Sequence, residues 1–93
     1  TDIMQAVEKK EQLFRKHLQH PKIKETRGNG LMLAIEFEDK DLSEKVVEQS
    51  LEKGLILFYF LFTKTAIRIT PPLSISEKEI IKGCGIIKGI LDE

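Results

Sequence analysis

The stretch Arg27-Gly28-Asn29-Gly30-Leu31-Met32-Leu33-Ala34-Ile35-Glu36-Phe37 sets the frame for reading the rest. Leu31, Leu33, Ile35 and Phe37 fall on one side of an extended chain, and Met32, Ala34 and Glu36 on the other. That period of two describes a strand with one dry face. Gly28-Asn29-Gly30 before it is turn chemistry, because both glycines can take positive φ without steric cost. The preceding Lys22-Ile23-Lys24-Glu25-Thr26-Arg27 alternates and is mostly polar, as an edge strand would be. Two glycines spaced Gly-x-Gly ahead of a strand are too short for a dinucleotide fingerprint, which opens a helix instead.

Outward from this hairpin, the chain reads as alternating helices and strands. Thr1 or Asp2 caps a first helix running to about Gln19, with Ile3, Val7, Phe14 and Leu18 on one face and Leu13 beside them. His20-Pro21 ends it, since the residue before proline is pushed out of the helical region. Glu38-Asp39-Lys40-Asp41 supplies a loop and a cap for a second helix over Leu42 to Lys53. Its inward positions are Leu42, Val46 and Leu51, and Gly54 is its C′ residue. Strand, helix and return make a crossover unit, right-handed if its strands are parallel. Leu55 to Phe62, eight apolar residues without a charge, is expected to be a strand buried on both sides. Thr63-Lys64-Thr65 turns the chain into a strand over Ala66–Thr70, which Pro71-Pro72 stops. Ser76 and Glu79 form a capping box for the last helix, whose stripe is Ile80, Cys84, Ile87 and Leu91, widened by Ile81 and Ile90. Gly83, Gly85 and Gly89 each weaken that helix by ~1 kcal/mol relative to alanine. The expected fold class is α+β: one domain over residues 1–93, a small, mainly antiparallel sheet of three to four strands with helices packed on one face.

Composition narrows the function classes. Ninety-three residues suffice for one modest core. With 41% hydrophobic and 32% charged residues the chain is neither disordered nor collagen-like. Fifteen basic residues balance fifteen acidic ones, so there is no electrostatic engine for nucleic-acid binding. The longest apolar run cannot span a bilayer, and no secretory pattern opens the chain; neither membrane association nor export is expected. A lone cysteine, Cys84, excludes an internal disulfide and a cysteine-based zinc site, and suits a reducing compartment. The absence of an initiator methionine at Thr1 leads to the expectation of a piece of something longer.

Few residues offer chemistry. His17 and His20 have no third metal ligand or nucleophile in sequence and are expected to be solvated. Glu36 and Glu38 have the spacing of a carboxylate pair on one strand face, but a solvated strand end is the expected reading, since glutamate is almost never fully buried. Cys84 among isoleucines reads as a small buried hydrophobe. Phe58-Tyr59-Phe60 lacks the basic and glycine neighbours of a base-stacking strand and is expected in the core or an interface. Arg68 stands out. It shares a small polar face with Ala66 and Thr70, between inward Ile67 and Ile69 and just before a rigid Pro-Pro. A guanidinium fixed there can clamp a carboxylate through two parallel hydrogen bonds. The competing reading is an ordinary surface ion pair with one of the fifteen acidic residues.

Three blocks taken together resemble a known family. They are Arg27-Gly28-Asn29-Gly30-Leu31-Met32-Leu33-Ala34-Ile35-Glu36, then Gly54-Leu55-Ile56, then Ile67-Arg68-Ile69-Thr70-Pro71-Pro72-Leu73-Ser74-Ile75-Ser76-Glu77-Lys78-Glu79-Ile80. In order and spacing they look like the C-terminal segment of class III pyridoxal-phosphate aminotransferases, the group containing ornithine, acetylornithine and 4-aminobutyrate aminotransferases. The resemblance implies the small domain of a fold-type I enzyme, a cytoplasmic homodimer that moves an amino group between an amino acid and a 2-oxo acid. It implies pyridoxal phosphate in the parent, held by the large domain of the same polypeptide, and no cofactor contact, catalytic residue or metal in this chain. By position Arg68 matches the arginine that in several members binds a substrate carboxylate. Phe58-Tyr59-Phe60 departs from the polar residue often found after the glycine-led strand. Two other readings stand beside this one: a freestanding α+β module holding a small carboxylate on Arg68, and an interaction domain docking through Leu55–Phe62.

Overall fold

The structure is a computed structural model that describes residues 2–93, so a cap at Thr1 lies outside the described residues. The order of elements is α1 (Asp2–His17), β1 (Ile23–Asn29), β2 (Met32–Phe37), α2 (Lys40–Glu52), β3 (Leu61–Thr63), β4 (Ala66–Ile69) and α3 (Glu77–Leu91). This is the helix–strand–strand–helix–strand–strand–helix sequence that the hydrophobic pattern predicts. The four strands form one sheet in the order β1-β2-β4-β3, and every neighbouring pair is antiparallel. Because β4 is antiparallel to both its neighbours, β2 and β3 run the same way with β4 between them. The crossover through α2 is therefore split by an inserted strand.

Alternation decides which face is covered. Leu33, Ile35 and Phe37 of β2 and Ile67 and Ile69 of β4 are buried beneath the helices. They meet Phe14 of α1 and Leu18 just past its end, Val46 of α2, and Ile80, Cys84, Ile87, Ile90 and Leu91 of α3. Each such side chain contributes roughly 1.5–3 kcal/mol by leaving water. The opposite face carries no helix, and Met32, Arg27, Arg68 and Leu61 are exposed on it.

The local signals account for the element ends. Strand β1 runs on through Gly28 and Asn29, so of the expected Gly-Asn-Gly turn only Gly30 lies between the strands. Gly28 and Gly30 have φ of 116° and 61°, and a Cβ on Gly28 would collide with the Met32 carbonyl oxygen. Helix α2 starts two residues earlier than its apolar pattern, at Lys40, because Asp39 caps it by accepting from the Leu42 amide at 2.7 Å. Gly54, at φ 85°, closes it as expected. Ser76 and Glu79 make the reciprocal capping box at α3.

Several expectations are overturned. Leu55–Phe62 is no doubly buried strand: only Leu61 and Phe62 belong to β3, and residues 55–60 are irregular. Leu55 and Phe58 drop into the core while Ile56 and Tyr59 are exposed, an every-third spacing that a pleated strand cannot produce. Tyr59 takes φ 46° to allow this. In α1, Ile3 is exposed although it shares the stripe of Val7 and Phe14. In α2 the inward positions go to Ser43, Val46 and Ser50, and Leu51 is exposed; in α3, Ile81 is exposed too. These helices pack along narrower stripes than the apolar pattern marks out.

Candidate functional site

The uncovered sheet face gathers the polar chemistry. Its centre is a row across three strands: Arg27 on β1, Ala34 on β2 and Arg68 on β4, with Leu61 of β3 beyond. The next row holds Glu25, Glu36, Ala66 and Thr63. Small Ala34 and Ala66 leave the long side chains room to lie over the sheet.

The two arginines differ in occupation. Arg27 donates from Nη1 to Glu25 Oε2 at 3.0 Å, and its Nη2 lies 3.6 Å from Glu36 Oε2. The hydrogen bond to Glu25 is the largest influence raising its pKa, which the charges of Glu25 and Glu36 raise further. Arg68 is exposed, and among the described residues no carboxylate comes within 4 Å of its guanidinium. The surface ion pair that would have explained it in an ordinary way does not form among the described residues. Ile67 and Ile69 anchor its strand in the core, buried Pro71 follows, and the Thr70 amide bonds to Phe58 O at 3.0 Å.

Helix α1 fixes the hairpin that carries Arg27. Arg15 donates from Nη2 to Gly28 O at 2.6 Å and from Nη1 to Thr26 O at 3.3 Å. Glu11 accepts from the Gly30 amide at 2.6 Å and from Arg15 Nε at 3.0 Å. Sequence reasoning missed this clamp. Its one signal is the Glu–Arg spacing of four, which puts both side chains on one helix face.

The remaining candidates fall elsewhere. Glu36 is half-buried and accepts from Thr65 Oγ1 at 2.8 Å, so it is not the solvated strand end expected. Glu38 lies past the end of β2 and is exposed; the two do not form a carboxylate pair. His20 is not solvated either. Its side chain is only 11% exposed, its Nδ1 accepts from the Lys22 amide, and Nε2 therefore carries the proton donated to Asp92 Oδ1 at 2.6 Å. That bond ties the end of α1 to the end of α3. Cys84 is fully buried, and desolvation pushes its thiol up to about 12, so it is protonated and inert. Phe58 packs edge-on against Phe14 and Phe60, with ring centroids 5.1 and 5.9 Å away, as core.

An open concavity of about 420 Å³ lies beyond the Phe37 end of β2. Lys22 and Lys45 there face Glu38, Asp39 and Asp41, a mixture of charges that converges on no point. The open sheet face is the stronger candidate, because it holds a guanidinium that no described carboxylate neutralises. Among the described residues no lysine is buried, and no three potential metal ligands cluster. No described helix is long and apolar enough to cross a membrane.

Comparison with known proteins adds the context that this geometry lacks. The profile of the family described as Aminotransferase class-III matches residues 1–91. The acetylornithine aminotransferase of Caldanaerobacter subterraneus is 36% identical over 95 residues, which cover 97% of this chain and 23% of that protein. The 4-aminobutyrate aminotransferase of Escherichia coli is 39% identical over 82 residues, covering 80% of this chain and 19% of that protein. Among solved structures, the adenosylmethionine-8-amino-7-oxononanoate aminotransferase of Methanocaldococcus jannaschii superposes with a TM-score of 0.77 at 30% identity, over 98% of this chain and 24% of that one. A thermostable omega transaminase from Pseudomonas jessenii shares the fold with a TM-score of 0.80 at 24% identity, over 98% of this chain and 23% of that one. The chain thus spans about a quarter or less of the proteins it matches.

Proposed function

The chain belongs to the class III aminotransferase family, and on that premise we propose that it is the C-terminal small domain of a longer enzyme. That enzyme transfers an amino group between an amino acid and a 2-oxo acid, and Arg68 holds a carboxylate of the substrate. The observation that carries the assignment is the guanidinium of Arg68 on an uncovered sheet face, which no carboxylate of the described residues neutralises. The relatives' greater length supports the fragment reading, since this chain covers 23% of the first of them.

Within that reading, Arg68 orients substrate. A planar guanidinium grips both carboxylate oxygens and fixes the direction of the bond to the α-carbon, which lowers the entropy cost of reaction. The strand delivers this precision, because Ile67 and Ile69 on either side are immobilised in the core. The parent's cofactor in this reading is pyridoxal phosphate. The residues present do not fit its cradle: every described lysine is reached by solvent, and the anionic groups beside Arg27 would repel its phosphate. We therefore assign the cofactor to the large domain, and with it a homodimeric assembly and a cytoplasmic location.

Assaying amino transfer with pyridoxal phosphate tests the assignment. The full-length polypeptide is expected to turn over, and the 93-residue chain alone to be silent. Turnover by the short chain, or a reading frame that encodes it alone, would favour an independent module instead.

A further inference from the structure

The register gives Glu36 two arginine neighbours, and it takes only one. Ala34 is the cross-strand partner of both Arg27 and Arg68, and Glu36 lies two residues further along the same face of β2. It is thus diagonal to each arginine at the same register offset, a separation of ~7–8 Å that long side chains bridge. On the β1 side they do bridge it, with Arg27 Nη2 3.6 Å from Glu36 Oε2. On the β4 side they do not. Glu36 is held instead by Thr65, whose Oγ1 donates to Glu36 Oε1 at 2.8 Å from the β3–β4 turn. A half-buried carboxylate needs such partners, and these two occupy both its oxygens.

From this arrangement we propose that Arg27 and Thr65 are positioning residues that hold Glu36 away from Arg68, keeping that guanidinium open for the substrate carboxylate. The inference rests on the reading of Arg68 given above. A released Glu36 would present the same functional group as the substrate, tethered to the sheet at an effective concentration on the order of millimolar. Substrates with KM values at or below that scale would have to displace it.

Steady-state kinetics of the full-length polypeptide test this. Arg27→Gln is expected to raise KM for the amino-acid and 2-oxo-acid substrates by roughly two- to fivefold, the factor one exposed ion pair commands, with kcat little changed. Thr65→Val should move KM the same way, and it carries the test should Arg27→Gln fail to fold. Arg27→Lys should keep most of the wild-type KM. Combining Arg27→Gln with Glu36→Gln should restore KM, because the competitor has lost its charge; a merely structural role for Arg27 predicts no such rescue. Arg68→Lys separates the positioning role from the clamp on which it rests. If it raises KM while Arg27→Gln and Thr65→Val leave KM unchanged, or if the double variant is not rescued, the positioning role is wrong and the clamp stands. If Arg68→Lys changes nothing, the clamp itself is wrong.

Discussion

Gly83 lies where α3 crosses the irregular segment before β3, and a Cβ built there would meet Phe58 Cζ at 2.3 Å and Leu55 Cδ1 at 2.9 Å. Phe58 is fully buried and braced by two other rings, so it cannot swing aside. Gly83→Ala should therefore destabilise the chain by about 1–3 kcal/mol in urea unfolding, although alanine is the better helix former. Gly85→Ala is the control, because nothing lies within 4 Å of its Cβ; it should stabilise by up to ~1 kcal/mol. Equal effects of the two substitutions would contradict this packing. From sequence these glycines look alike, three weak points in one helix. Only the partner across the interface distinguishes them, and Phe58 comes from a segment whose path is not written in its apolar run. Arg68 is the opposite case: its alternation with Ile67 and Ile69 is enough to place it on the open face. Its lack of an ion partner among the described residues depends on where the acidic side chains end up, which sequence does not specify.

At the scale of elements, legibility follows the strength of local rules. The α3 start is fully determined by Ser76 and Glu79. The serine hydroxyl accepts from the Glu79 amide at 3.1 Å, and the Glu79 carboxylate accepts from the Ser76 amide at 2.9 Å. That hydrogen bond lowers the pKa of Glu79 below its ordinary 4.5. A lowered carboxylate pKa means the folded state binds the proton less readily than the unfolded chain. Its contribution is present above pH 4.5 and disappears as pH falls through the lowered value. Ser76→Ala should cost about 1 kcal/mol in unfolding at neutral pH, and should remove part of the acid dependence below pH 4.5. An unchanged acid limb would show that the Ser76 hydroxyl contributes nothing to it, since alanine keeps the backbone amide that lowers the Glu79 pKa most. The segment 55–60 fails as a strand for an equally physical reason. An all-apolar run has no period, so nothing in it separates a pleat from a turn that buries every third residue. Tertiary contacts with Phe14 and Gly83 decide.

The whole molecule is a sheet covered on one side only. Helices bury Leu33, Ile35, Phe37, Ile67 and Ile69, while the other side leaves Met32 66% and Leu61 52% exposed around the free Arg68. That asymmetry was legible from the two-residue period and the element order, and so was the α+β class. The clamp of Glu11 and Arg15 on the hairpin, the insertion of β4 between β2 and β3, and the diversion of Glu36 were not, since each joins residues distant in sequence. They nevertheless determine what the face can do, because they lock Arg27 and Glu36 together and leave one guanidinium unoccupied. The most direct measurement of that claim is the KM of the full-length polypeptide for its amino-acid substrate with Arg68 and with Arg68→Lys. Lysine keeps the charge but cannot grip two oxygens at once. The account predicts a KM at least about tenfold higher and a lower turnover, the cost of losing one charge-assisted hydrogen bond from a positioned carboxylate. Identical kinetics for the two proteins would contradict it.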